Sequence, residues 1–258
     1  MGFFLTPVVR NLLLINIIIF ILQSFANVNF FEIFGLRYLL SPKFAPYQII
    51  THMFIHGSTG HLISNMIGLF IFGPLLEYTW GGRRFLVFYF VCGIGASVLY
   101  SSARFYDVYE LKRDTDSYIT HPTPNKFVNF VSNYAPEFYH SRYDFLNAFE
   151  EKPEDPTYLA QSKELVQQIY DIAINIPMGG ASGALFGIMM AFAMLFPNRE
   201  IMSPMTFFIP VQAKYLIGVY AVIEIFAGLN PTAGDSVAHF AHIGGMLFAY
   251  IWIAYGKG

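Results

Sequence analysis

Six stretches of this chain are apolar over lengths approaching the ~20 residues that carry a helix across a ~30 Å hydrocarbon core. They run from Asn11 to Phe25, His61 to Thr79, Phe85 to Ala103, Ser182 to Phe196, Thr206 to Ala227 and Ser236 to Tyr255. Such repetition leaves few architectures open, because backbone inside lipid must satisfy its own hydrogen bonds and only helices or closed barrels do so. Runs of this length predict an all-α polytopic membrane protein, a bundle of six transmembrane helices. The first and fourth runs are short, and Val8 to Arg10 and Pro177 to Ala181 are expected to complete them. At 55% hydrophobic and 12% charged, the chain is too apolar for a soluble domain of its size.

Charge is spread unevenly. Residues 104–171 hold 7 Lys/Arg and 12 Asp/Glu out of 15 and 17 in the whole chain. The expected organisation is therefore a membrane core in two parts, 1–103 and 178–258, around an extramembrane insert, 104–177. The insert is rich in aromatics and broken by Pro122, Pro124, Pro136, Pro153 and Pro156, while Leu165, Ile169 and Ile172 follow i, i+4, i+7. It is expected either to form a small helical cap or to remain partly disordered. Arg10, Arg83, Arg84, Arg199 and Lys257 all fall on one side of the six runs, which places that side in the cytoplasm and the insert outside. Arg37 and Lys43 oppose the trend. The single cysteine, Cys92, lies in the third run and is expected only to pack.

Three groups of polar residues sit inside these apolar runs, where ionisable side chains are costly and mark function. Ser182 lies in Gly179-Gly180-Ala181-Ser182-Gly183, at the start of the fourth run. Unpaired N–H groups and the helix dipole there favour negative charge. His242 lies in the sixth run among Ala238, Gly245 and Ala249, which share its helical stripe. Gly183 and Gly187 form a small-xxx-small face that lets two membrane helices approach closely. Close approach is what a serine–imidazole hydrogen bond requires. His61 and Asn65, four apart, share one face of the second run and both can donate hydrogen bonds. Together these groups suit acyl transfer, with Ser182 as nucleophile, His242 as base, and His61, Asn65 and the Ser182 N–H as oxyanion donors.

The order and spacing of these motifs resemble the rhomboid intramembrane serine proteases. The family pattern of His-x-x-x-Asn, Gly-x-Ser-Gly and Ala-His-x-x-Gly is matched by His61 with Asn65, Gly180 to Gly183, and Ala241 to Gly245, over roughly residues 10–103 and 178–255. The resemblance implies a Ser-His dyad without a triad acid, cleaving transmembrane segments of other membrane proteins near the outer face. It also assigns supporting roles to Gly180, Gly183, Gly245 and Phe186, the last stacking on the imidazole. Where relatives often carry Trp-Arg in the first outer loop, this chain reads Tyr47-Gln48, so a guanidinium anchor is missing. Glu77 resembles an acidic residue of the family and is expected to be structural.

Other readings stand beside these. His239 is expected to support His242 or to be a satisfied core histidine. His52, His56 and His61 invite a zinc site, but no carboxylate or thiolate lies at ligand spacing, so no metal and no cofactor are expected. Lys214 is expected to snorkel, and Glu224 to hydrogen-bond a neighbouring helix. The partners implied are transmembrane substrates and the lipid bilayer, with no nucleic acid. The membrane expected is a bacterial cytoplasmic one, with the active site opening to its outer face. A non-catalytic rhomboid-like binder of membrane proteins is the competing function, and retention of both Ser182 and His242 argues against it.

Overall fold

The computed structural model describes residues 5–141, 143–202, 206, 209–230 and 236–256, with the side chains of 139–143 and 236–238 left aside. Lys257 and the Ala238 side chain therefore lie outside the described residues. The described residues are mostly helical. They comprise α1 (Pro7–Phe25), α2 (Phe30–Phe34), α3 (Gln48–Thr51) leading into a 3₁₀ turn at His52–Phe54, α4 (Thr59–Trp80) and α5 (Gly82–Thr120). There follow α6 (Pro124–Tyr134), α7 (Pro136–Ser141), α8 (Tyr143–Glu151), α9 (Pro156–Ile174), α10 (Ser182–Leu195), α11 (Ala213–Leu229) and α12 (Ser236–Tyr255). Among the described residues, α1, α4 and α5 are both long and apolar enough to cross a membrane, and α10 is apolar but shorter.

The contacts divide the chain into two compact units, one of residues 1–37, 44–102 and 177–258, the other of 38–43 and 103–176. The first unit is built around α10. Its core gathers Val9 and Leu12 of α1, Leu69, Phe72 and Leu76 of α4, Phe85, Phe88 and Cys92 of α5, and Ile188, Ala191 and Phe192 of α10. Many apolar side chains point outward instead, such as Ile18, Leu22, Val222 and Phe226. That pattern suits a helical bundle whose solvent is lipid. Glu77 fastens the start of α1: its carboxylate accepts from the Thr6 hydroxyl and from the backbone N–H groups of Val8 (2.9 Å) and Val9 (2.8 Å). A carboxylate from another helix thus caps donors that the first turn cannot pair.

Two spans start later than expected. The fourth begins at Ser182, because Met178 pairs with Leu36 as an extended bridge and the preceding residues are drawn away from helix. The fifth begins at Ala213, since Val211 and Gln212 pair antiparallel with Glu200 and Ile201 and Pro210 cannot donate to a helical ladder. This small hairpin is the one sheet among the described residues.

In the second unit three of the prolines act as helix starts. Pro124, Pro136 and Pro156 are each the first residue of a helix, where a missing N–H costs nothing and the fixed φ is already helical. Thr123 and Asp155 cap two of these helices by accepting from Lys126 N and Thr157 N. The third apolar run continues past Ala103 without a break to Thr120 in α5, and that extension packs with α6, α8 and α9 around Tyr118, Phe127, Phe130, Phe149, Val166 and Ile169. Of the expected stripe, Ile169 is buried and Leu165 is packed against the core, while Ile172 is exposed. Phe149, fully buried, should be the most sensitive position here. Phe149→Ala is expected to cost about 3–5 kcal/mol, read as faster amide hydrogen exchange in α6 and α9; unchanged exchange would mean that the aromatic cluster does not hold the unit together.

Candidate active site

The serine is presented by a short passage of non-helical backbone. Gly180 N donates to the His52 carbonyl at 2.8 Å and adopts φ +143°, a conformation that L side chains rarely enter. A Cβ at this position would also lie 2.7 Å from Cε1 and 2.9 Å from Nε2 of His61, and 3.6 Å from Ser182 Oγ. Glycine is therefore required twice, and the imidazole and the hydroxyl flank the same residue. Ser182 then opens α10, so the first-turn N–H groups, its own included, have no helical acceptor. Fourteen residues of helix span roughly 21 Å, less than a ~30 Å hydrocarbon core.

The packing of α12 on α10 is the most extensive between any two helices described. It is close because Gly245 meets the Gly183 carbonyl directly, leaving no room for a Cβ at 245. A Cβ on Gly187 would lie 2.5 Å from Cys92 Sγ and 3.0 Å from the Gly245 carbonyl, so the lone cysteine fills space against α10. This approach brings His242 Nε2 to 2.9 Å from Ser182 Oγ. Phe186, one turn along α10 from the serine, lies parallel to the imidazole, with centroids 4.1 Å apart and planes 12° apart. It holds the ring by its face.

His61 stands in the first turn of α4, which Ser58 caps by accepting from His61 N at 3.1 Å. Asn65 is 4% exposed, and its Nδ2 has no hydrogen-bond partner among the described residues. A buried amide donor without an acceptor costs on the order of 1–3 kcal/mol, which an oxyanion beside it would recover. His56 adds a contact absent from the sequence reading: its Nε2 accepts from Ala181 N at 3.4 Å, and its ring meets that of His61 edge-on at 5.1 Å. Burial pushes the His56 imidazole down to about 4, so the ring is neutral and Nε2 is free to accept.

His52 has a structural post. Its Nδ1 lies 2.8 Å from the Gln48 carbonyl and its Nε2 3.4 Å from Ser97 Oγ, and burial pushes it to about 4. Both nitrogens are occupied, so the three histidines do not assemble a zinc site. The loop between α1 and α4 is not left without an anchor either. Gln48 is buried, donating to the Ile33 carbonyl at 3.2 Å and accepting from Ala45 N at 3.2 Å, and the Tyr47 hydroxyl donates to the same Ile33 carbonyl at 3.1 Å. Arg37 supplies a guanidinium of its own, 1% exposed and 2.6 Å from Glu32. A buried, paired arginine explains why this residue runs against the charge bias of the loops.

Glu224 of α11 hydrogen-bonds the neighbouring helix α12, as expected, and the structure adds which residues receive it. Its Oε2 lies 2.9 Å from His242 Nδ1 and 2.6 Å from His239 Nδ1, so a carboxylate stands beside the imidazole that contacts Ser182. These three residues also bring their ligand atoms within 4.8 Å of one another, the one such group among the described residues that could hold a metal ion. The atoms already satisfy each other as hydrogen bonds, and His242 uses its remaining nitrogen on Ser182. The signal available in the sequence was a lone carboxylate deep in an apolar run, which marks a partner without naming it.

Comparison with known proteins agrees with the motifs. A profile of the Rhomboid domain matches residues 43–108 and 158–257, more than half of the chain. The unmatched stretch falls within the second unit. Among curated proteins, the chain is 28% identical over 214 residues to the RHOMBOID-like protein 12, mitochondrial, of Arabidopsis thaliana, across 82% of this chain and 47% of that protein. It is 36% identical over 73 residues to the Rhomboid-like protein 11, chloroplastic, of the same plant, across 28% of this chain and 26% of that protein. The chain thus spans about half the length, or less, of these relatives. Both carry organellar names, so the expected bacterial cytoplasmic membrane finds no support in them.

Proposed function

Since the chain belongs to the rhomboid family, we propose that it is an intramembrane serine endopeptidase, with six membrane-spanning helices formed by α1, α4, α5, α10, α11 and α12. The observation that carries this reading is the 2.9 Å contact between Ser182 Oγ and His242 Nε2 inside an apolar bundle. With a lone pair on Nε2, the imidazole takes the serine proton as Oγ attacks a substrate carbonyl carbon, forming a tetrahedral intermediate. Its oxyanion is received by the Ser182 N–H and the His61 imidazole, which flanks Gly180 together with the serine, and by Asn65 Nδ2, one turn along α4 from His61. The imidazolium then returns the proton to the departing amine, leaving an acyl-serine, and water repeats the sequence to release the acid.

A helix shorter than the hydrocarbon core, entered through the non-helical residues 177–180, sets the nucleophile below the membrane surface. Such backbone is tolerated at that depth only where protein or a water-filled cavity satisfies it. Here the Met178–Leu36 bridge and the Gly180–His52 hydrogen bond supply the partners. Substrates are transmembrane segments that unwind readily, with Gly, Pro or polar residues near one end, since only extended backbone presents a carbonyl to a serine.

A competing non-catalytic role as a binder of membrane proteins would need no reactive hydroxyl. The deciding experiment is treatment of the full chain in liposomes with a fluorophosphonate, followed by mass spectrometry. A phosphonyl adduct on Ser182 is expected, and its absence under conditions that keep the protein folded would favour the binder. Asn65→Ala and His61→Ala should each slow cleavage about 10²-fold with little change in substrate affinity. A loss confined to affinity would remove them from the oxyanion site.

A further inference from the structure

We propose that Glu224 is the positioning acid of a Ser182–His242–Glu224 chain, so that the site operates as a triad; this rests on the serine-peptidase reading above. The argument starts from the proton on the imidazole. Nε2 accepts the serine proton only if it carries a lone pair, which requires the neutral ring to be protonated on Nδ1. An ionised carboxylate is an acceptor only. Placed 2.9 Å from Nδ1, Glu224 Oε2 selects that tautomer and no other. When the ring becomes an imidazolium, the same carboxylate lies beside the new charge, in surroundings where attraction is worth more than in water.

A carboxylate 7% exposed on a membrane helix is expensive unless paired. Glu224 is paired twice, and both partners come from one face of α12, three residues apart. The His239 and His242 rings stand at 88° to one another with centroids 6.3 Å apart, which lets both Nδ1–H groups point at the same oxygen. His239 therefore helps to aim the carboxylate, and acts on the chemistry only through Glu224. Seen from His242, each direction is taken: Phe186 covers a face, Ser182 takes Nε2 and Glu224 takes Nδ1. A glutamate serving only to join α11 to α12 could do so through His239 alone, whereas the same oxygen also lies within hydrogen-bond distance of the imidazole that contacts Ser182.

The test uses the full chain in liposomes, with the rate of fluorophosphonate labelling as one readout and the ¹⁵N shifts of the histidine rings as the other. Glu224→Gln keeps the shape but removes the charge, and should label about 10²-fold more slowly; Glu224→Asp, which restores the charge, should recover at least about tenfold of that loss. His239→Ala should lose less than Glu224→Gln. In wild-type protein the His242 ring should carry its proton on Nδ1, a readout that needs no variant to fold. Wild-type labelling rates in Glu224→Gln, with Ser182→Ala inert, would overturn the positioning role and leave the peptidase reading intact. So would a His242 ring protonated on Nε2. Loss of wild-type labelling in EDTA, restored by zinc, would assign the three atoms to a metal and also overturn the proposal. Absence of any Ser182-dependent labelling in wild type would instead fail the peptidase reading, with the tautomer still reporting on Glu224.

Discussion

Ser182→Ala and His242→Ala are each expected to reduce cleavage of a reconstituted transmembrane substrate by about 10⁶-fold, and the double variant by no more than either single one. The non-additivity follows from the 2.9 Å contact between Oγ and Nε2. A hydroxyl without its base is a poor nucleophile, and a base without its hydroxyl has nothing to deprotonate, so each substitution removes the same step. Ser182 is small, and without the His242 imidazole Glu224 still has His239 as its partner, so both variants should remain folded and membrane-inserted. Rates are best measured as product release from liposomes over days, because the residual turnover is slow. Additive losses, or more than a hundredth of wild-type activity in either variant, would show that the two residues do not work as one unit.

The second large effect is expected at a residue with no functional group at all. Gly245 touches the Gly183 carbonyl, and a Cβ there would meet backbone, which cannot swing aside as a side chain can. Gly245→Val must therefore move α12 away from α10 by about 1 Å or more, and displacement on that scale costs on the order of 10²-fold in rate before any loss of stability is counted. With overpacking of about 1–3 kcal/mol added, labelling of Ser182 should fall by about 10³-fold. Gly218 on α11 provides the control, because nothing lies within 4 Å of a Cβ built on it. Gly218→Ala should label as wild type does. Equal labelling by both variants would mean that the α10–α12 approach does not set the Ser182–His242 distance.

Much of this protein was legible before its structure. The apolar runs located the helices because burial in lipid demands internal hydrogen bonding over a fixed length, and α12 has the bounds that its run implied. The motifs around His61, Ser182 and His242 were legible because a hydroxyl, an imidazole and small residues inside apolar runs have few other uses. What could not be read was anything that depends on where two distant segments meet. Residues 177–181 read as part of an apolar span, yet Met178 pairs with Leu36 in an extended bridge and the helix begins only at Ser182. The prolines of the second unit read as breaks, yet each of Pro124, Pro136 and Pro156 begins a helix, because the same fixed φ that stops one helix suits the first turn of another. Gln48 and Arg37 anchor the loop between α1 and α4 through partners that no spacing rule connects.

Glu224 marks the division most sharply. Sequence alone determined that a carboxylate lies within an apolar helix and must have a partner. Tertiary structure decided that the partners are His239 and His242, the latter in contact with Ser182, because hydropathy and periodicity specify what a helix buries and not its rotation or height against its neighbours. Those two coordinates are set by contact, here by glycines that let α12 seat on α10 and turn two imidazoles toward one oxygen of α11.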